Sequence, residues 1–98
     1  MSISEGLAVV CKDDKYGFIN KIGKEVTKFI YDGACCFSEG LAAVKNEKGK
    51  WGFIDKTGKE VIPFIYGTGG YFSEGLAHVC KDDKYFYINK KGERVEKK

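Results

Sequence analysis

The sequence predicts an all-β protein: tandem three-stranded antiparallel meander repeats stacked as a small β-repeat array, either solenoid-like or open and propeller-like. Three observations carry this prediction. The pentapeptide Ser-Glu-Gly-Leu-Ala occurs at residues 4–8, 38–42 and 73–77, and self-similarity at a fixed period of this length marks a repeat architecture. The segments between these marks are short, alternate with period two and are rich in aromatic and β-branched residues, as strands are. Finally, the same turn residues recur at matching places in each copy.

The elements follow in order. Leu7 to Lys12 forms a first strand, which turns at Asp13-Asp14 into a second, Lys15 to Asn20. The middle copy uses Glu47-Lys48-Gly49 at that turn and carries one more residue before its aromatic segment, Lys50 to Asp55; the third copy has Lys84 to Asn89 there. Asn20-Lys21-Ile22-Gly23, Asp55-Lys56-Thr57-Gly58 and Asn89-Lys90-Lys91-Gly92 share one chemistry. Asn or Asp opens a type I turn, and the glycine takes the positive φ that closes a bulged hairpin. A third strand follows each, through Val26, Val61 and Val95. One domain spans residues 1–98, divided into repeats at 4–37, 38–72 and 73–98, the last truncated and atypical.

Comparison between copies assigns faces. Ala8 and Val10, Ala42 and Val44, and Ala77 and Val79 stay small and apolar, which predicts a buried face. The alternate slots vary: Val9, Ala43 and His78, then Cys11, Lys45 and Cys80. On the second strand Ile19, Ile54 and Ile88 point one way, and Tyr16, Phe18, Trp51, Phe53, Tyr85 and Tyr87 the other, so that strand is central and apolar on both sides. Burying each such side chain contributes about 1.5 to 3 kcal/mol, against about 1 to 2 kcal/mol per residue for ordering the backbone, so the units must stack to be stable.

Composition excludes several functions. Ninety-eight residues suffice for one small core. The formal charge of +3 divides as 0, +1 and +2 over the three repeats, without the concentrated patch that nucleic-acid or membrane attachment needs. No run approaches a membrane span, and Met1 to Glu5 has no secretory pattern, so a cytoplasmic location is expected.

The run Gly49-Lys50-Trp51-Gly52-Phe53-Ile54-Asp55-Lys56-Thr57-Gly58-Lys59, preceded by Phe37-Ser38-Glu39-Gly40-Leu41-Ala42 and followed by Pro63 and Tyr66, resembles the bacterial WG repeat. The likeness covers nearly the whole chain. Tyr16 replaces the tryptophan in the first copy, and Tyr85-Phe86 replaces Trp-Gly in the third. The resemblance implies a β-rich tandem-repeat module of bacteria with no catalytic residue to carry over.

Candidate sites are weighed on that frame. Glu5, Glu39 and Glu74 have the residue type for acid–base chemistry, but a slot filled identically in every copy serves the repeat, here as a side-chain-to-backbone turn before the first strand. His78 is the single histidine and lacks a cue for a catalytic partner. Cys11, Cys35, Cys36 and Cys80 contain no CxxC pair, so no zinc site, other metal or cofactor is expected; reduced thiols are, with Cys11 and Cys80 the more accessible. No enzyme is predicted.

The expected function is a non-enzymatic protein-interaction scaffold whose variable slots, Cys11, Lys45, His78 and Cys80, face a protein partner. Homo-oligomers through the terminal repeat edges are expected too, with Lys90, Lys91, Lys97 and Lys98 as alternative edge protection. The competing readings are single-stranded nucleic acid stacked on Lys15-Tyr16-Gly17-Phe18-Ile19 and its equivalents, or cell-wall carbohydrate held by aromatic hairpins. Threefold recurrence and mild charge argue against the first, and a single tryptophan against the second.

Overall fold

The computed structural model describes residues 3–95. They form ten strands: β1 (Ile3–Ser4), β2 (Leu7–Lys12), β3 (Lys15–Asn20), β4 (Gly33–Ala34), β5 (Leu41–Lys45), β6 (Trp51–Asp55), β7 (Glu60–Tyr66), β8 (Leu76–Lys81), β9 (Lys84–Asn89) and β10 (Arg94–Val95). These make three antiparallel sheets of order β1-β2-β3, β4-β5-β6-β7 and β10-β9-β8, one for each copy of the repeat. The array is elongated, 41 × 27 × 20 Å.

The turn chemistry sets the hairpins as expected. Asp13-Asp14 and Asp82-Asp83 each place two consecutive residues at positive φ, the requirement of a type I′ turn, and Lys12 pairs with Lys15 and Lys81 with Lys84 across them. The Asn20 carboxamide oxygen accepts from the Ile22 and Lys24 N–H groups, and the Asp55 and Asn89 side chains repeat that pattern. Asn46 does the same at the middle hairpin, so Asn46 opens that turn and Gly49 closes it at φ 80°.

The third strand differs among copies. In the middle sheet β7 runs the length of β6, with bulges around Phe53. In the first, Glu25 and Tyr31 meet β3 only as isolated bridges, to Ile19 and Tyr16. Between the two bridges the Thr27 hydroxyl accepts the Phe18 N–H at 3.1 Å, in the place of a ladder carbonyl. The middle sheet also gains a short fourth strand, β4, because the connection from the first copy pairs with β5 on arrival.

Each connection changes sheet within one residue. Tyr31 exchanges hydrogen bonds with Tyr16 of the first sheet, while the next N–H, from Asp32, is given to the Lys45 carbonyl of the second. Tyr66 pairs with Trp51, and the following Gly67 N–H goes to the Cys80 carbonyl.

The core lies between the sheets, in two layers. Leu7, Phe18, Tyr31 and Phe37 of the first copy pack with Ala42, Val44 and Ile54 of the second. Ala43, Phe53, Ile62, Tyr66 and Phe72 of the second pack with Ala77, Val79 and Ile88 of the third. Both faces of the middle sheet are therefore buried against neighbours, as the central strand required. A further consequence corrects the face assignment: Ala43, in a slot that varies between copies, is as buried as the constant Ala42 beside it.

Candidate interaction surface

The junctions between repeats follow from the repeated Ser-Glu-Gly segment. Ser38 and Leu41 exchange backbone hydrogen bonds across Glu39-Gly40, which have φ of 53° and 85°. A two-residue turn of this kind uses neither central N–H within the hairpin, and two adjacent N–H groups that point the same way form an anion-binding nest. Glu5 fills it: its Oε2 accepts from Glu39 N–H at 2.7 Å and its Oε1 from Gly40 N–H at 2.8 Å. One repeat later Glu39 does the same to Glu74 and Gly75, at 2.7 and 2.9 Å.

A lysine completes each clasp. Lys56 Nζ lies 3.5 Å from Glu5 Oε1, and Lys90 Nζ lies 3.5 Å from Glu39 Oε1. The N–H of Gly40 on Glu5, and that of Gly75 on Glu39, hold these carboxyls below the ordinary glutamate range, with the second turn N–H and the lysine adding to the effect. The expected backbone turn thus exists, but each glutamate caps the turn of the next repeat rather than its own. Lys90, expected to guard a sheet edge, bridges two repeats instead; Lys97 and Lys98 lie outside the described residues.

Rings reinforce the same junctions. Phe37 stands edge-on to Phe18 at 4.7 Å and Phe72 edge-on to Phe53 at 5.0 Å, each ring brought by the connection into the sheet it has just left. The Ser38 hydroxyl donates to the Phe72 carbonyl at 2.6 Å. Trp51 is half-buried beside Gly33 and Gly69, where an added Cβ would come within 3.2 Å of its ring, and Lys45 Nζ sits 6.0 Å from the ring centroid.

The four predicted slot residues lie on three different sheets, and the structure explains their unequal exposure. Cys11, Lys45 and Cys80 occupy one position, opposite Tyr16, Trp51 and Tyr85. Lys45 and Cys80 are half-buried because the incoming connection bonds to their carbonyls; Cys11 is exposed. His78 is exposed on the outer face of the third sheet, with Tyr85 and Tyr87 at 5.3 and 4.9 Å. The expectation for the thiols needs correction: the two exposed cysteines are Cys11 and Cys36, because Cys80 lies under the arriving connection. Cys35 is half-buried, and burial pushes its thiol upward.

Sequence reasoning gave Lys21 and Lys56 no role and placed Lys90 at a sheet edge, not in a clasp. The signal was present, since each follows the Asn or Asp that opens the bulged turn in its copy. Among the described residues there is no helix, and so none long and apolar enough to cross a membrane.

The family model described as the WG containing repeat matches this chain at residues 1–16, 16–51 and 51–85, in phase with Tyr16, Trp51 and Tyr85. No curated protein matches the chain.

Proposed function

The chain belongs to the WG containing repeat family, and from that premise we propose that it is a non-enzymatic module that serves as a protein-interaction scaffold. The supporting observation is where its chemically capable side chains are spent. Glu5 and Glu39 cap backbone turns between repeats, and Phe18, Phe37, Phe53 and Phe72 are fully buried at the junctions. What varies between copies and reaches the surface, the exposed Cys11 and His78 with the half-buried Lys45 and Cys80, is the material for recognising a partner. In this reading the module works in the cytoplasm with reduced thiols and binds by presentation of a rigid surface.

The test uses the intact chain with a photo-crosslinking residue at position 11, where Cys11 is exposed, in cells of its source. The expected result is a discrete crosslinked protein whose yield falls in His78→Asp and Lys45→Glu variants and is unchanged in Lys24→Glu. Quenching of Trp51 fluorescence by a single-stranded oligonucleotide or an oligosaccharide, with no crosslinked protein, would replace the scaffold by the corresponding ligand.

A further inference from the structure

The glutamate clasp occurs twice within the chain, and its parts occur three times. The third receptor is the Glu5-Gly6 turn. Its φ values, 56° and 82°, match those of Glu39-Gly40, 53° and 85°, and of Glu74-Gly75, 54° and 81°. Lys21, the counterpart of Lys56 and Lys90, stands beside it, with its Cε 3.6 Å from where a Cβ on Gly6 would lie. Among the described residues, no acceptor reaches the N–H groups of this turn. The third carboxylate is Glu74, which is exposed, and among the described residues no donor reaches it.

We propose that the Glu5-Gly6 turn, with Lys21, is a carboxylate receptor for Glu74 of a second copy, so that chains associate head to tail and continue the stack of sheets. Glu74 Oε2 and Oε1 would accept from the partner copy's turn N–H groups as Glu5 and Glu39 do within one chain. The flanking faces are complementary by the same repeat logic. His78, Tyr85 and Tyr87 on the third sheet occupy the slots of Val9, Tyr16 and Phe18, which pack on Ala42, Val44 and Ile54. Ala8, Val10 and Ile19 of the first sheet are the counterparts of those three; Ala8 is buried, Val10 and Ile19 are half-buried, and Tyr85 is 66% exposed. Such an interface joins two different patches and so propagates instead of stopping at a dimer.

Sedimentation of the 98-residue chain from micromolar to millimolar concentration tests this. The expected result is a mass that rises with concentration beyond the dimer. Glu74→Gln and Lys21→Glu each weaken association about tenfold or more, since a charge-assisted pair of hydrogen bonds is lost or opposed. Among the described residues neither side chain makes a hydrogen bond or ion pair, and the Glu74 N–H that bonds to Glu39 is unaltered by the substitution, so dichroism and unfolding midpoint stay at their wild-type values. Mixing the two variants restores 1:1 dimers, because the intact Glu74 of the Lys21→Glu chain meets the intact receptor of the Glu74→Gln chain. A monomer throughout the range, or association that both variants leave unchanged, overturns the proposal. The crosslink from position 11 lies outside the two faces that meet here, so a monomer that still yields the crosslinked partner overturns only this proposal, and association without a crosslinked partner overturns only the scaffold reading.

Discussion

Gly52 shows how much of this array is decided atom by atom. A Cβ there would stand 2.8 Å from the Ile62 carbonyl oxygen and 3.0 Å from the Phe64 ring, because β7 crosses directly over the position. At Gly17 the neighbour is the Phe29 ring alone, at 3.0 to 3.1 Å, and a ring can tilt where a carbonyl in a ladder cannot. Gly52→Ala is therefore expected to lower stability by about 2 kcal/mol and Gly17→Ala by less than about 1 kcal/mol, read from urea midpoints followed by Trp51 emission. The third copy has Phe86 at this position, and it meets Tyr66 edge-on at 6.3 Å, while Phe64 lies stacked beside Tyr31 at 6.4 Å. The residue in the glycine slot thus supplies the ring that the crossing strand supplies elsewhere. Thr27 is a second such residue: Thr27→Val keeps the shape but strands the Phe18 N–H, for an expected cost of about 1 to 3 kcal/mol in the same measurement.

At the level of strands and turns, most of the molecule could be read from the residues. β2, β3, β6, β8 and β9 fall on the expected runs, since Asp-Asp and Asn/Asp-x-x-Gly are local devices whose φ requirements do not depend on the rest of the fold. What could not be read was the path of the connections. The broken third strand of the first copy and the added β4 both depend on which sheet the segment 25–34 bonds to at each step, a choice made by neighbours far away in sequence. Phe37 and Phe72 are the anchors of that path, both buried and edge-on to a ring of the preceding sheet. Phe72→Ala should cost about 3 to 5 kcal/mol, with hydrogen exchange accelerating in β8 and β9 before β2 and β3, because the cavity opens between the second and third sheets. Uniform acceleration through all three sheets would contradict that layering.

Across the whole molecule, stability depends on stacking and so on charge at the junctions. Glu5 and Glu39 have carboxyls depressed in the native array by turn N–H groups and a lysine. A group whose native value lies below its unfolded value stabilises the fold above the unfolded value, about 4.3 for glutamate, and loses that contribution as pH falls through the native one. Stability should thus hold from neutral pH down to about 4.3 and then decline. Asp55 adds to the same acid limb, being lowered chiefly by the Thr57 hydroxyl. Glu39→Gln is expected to lower the urea midpoint at pH 7 and flatten the limb below pH 4, whereas Glu74→Gln in the dilute chain changes neither; equal effects of the two would show that the clasp contributes nothing.

The division between what residues announce and what packing chooses follows from range. Repeat number, strand chemistry, turn types and the apolar character of the central strands are local or periodic properties, and a periodic sequence states them three times over. The partner of each repeated side chain is not local. Glu5, Glu39 and Glu74 are the same residue in the same segment, yet the first two bond to turns 34 and 35 residues ahead and the third reaches no described donor. Likewise Ala43 is buried and His78 exposed in one and the same slot, because a neighbouring sheet covers the first and no sheet of the described residues covers the second. An identical sequence context cannot distinguish such positions; only the presence or absence of the next sheet, about 10 Å away, does.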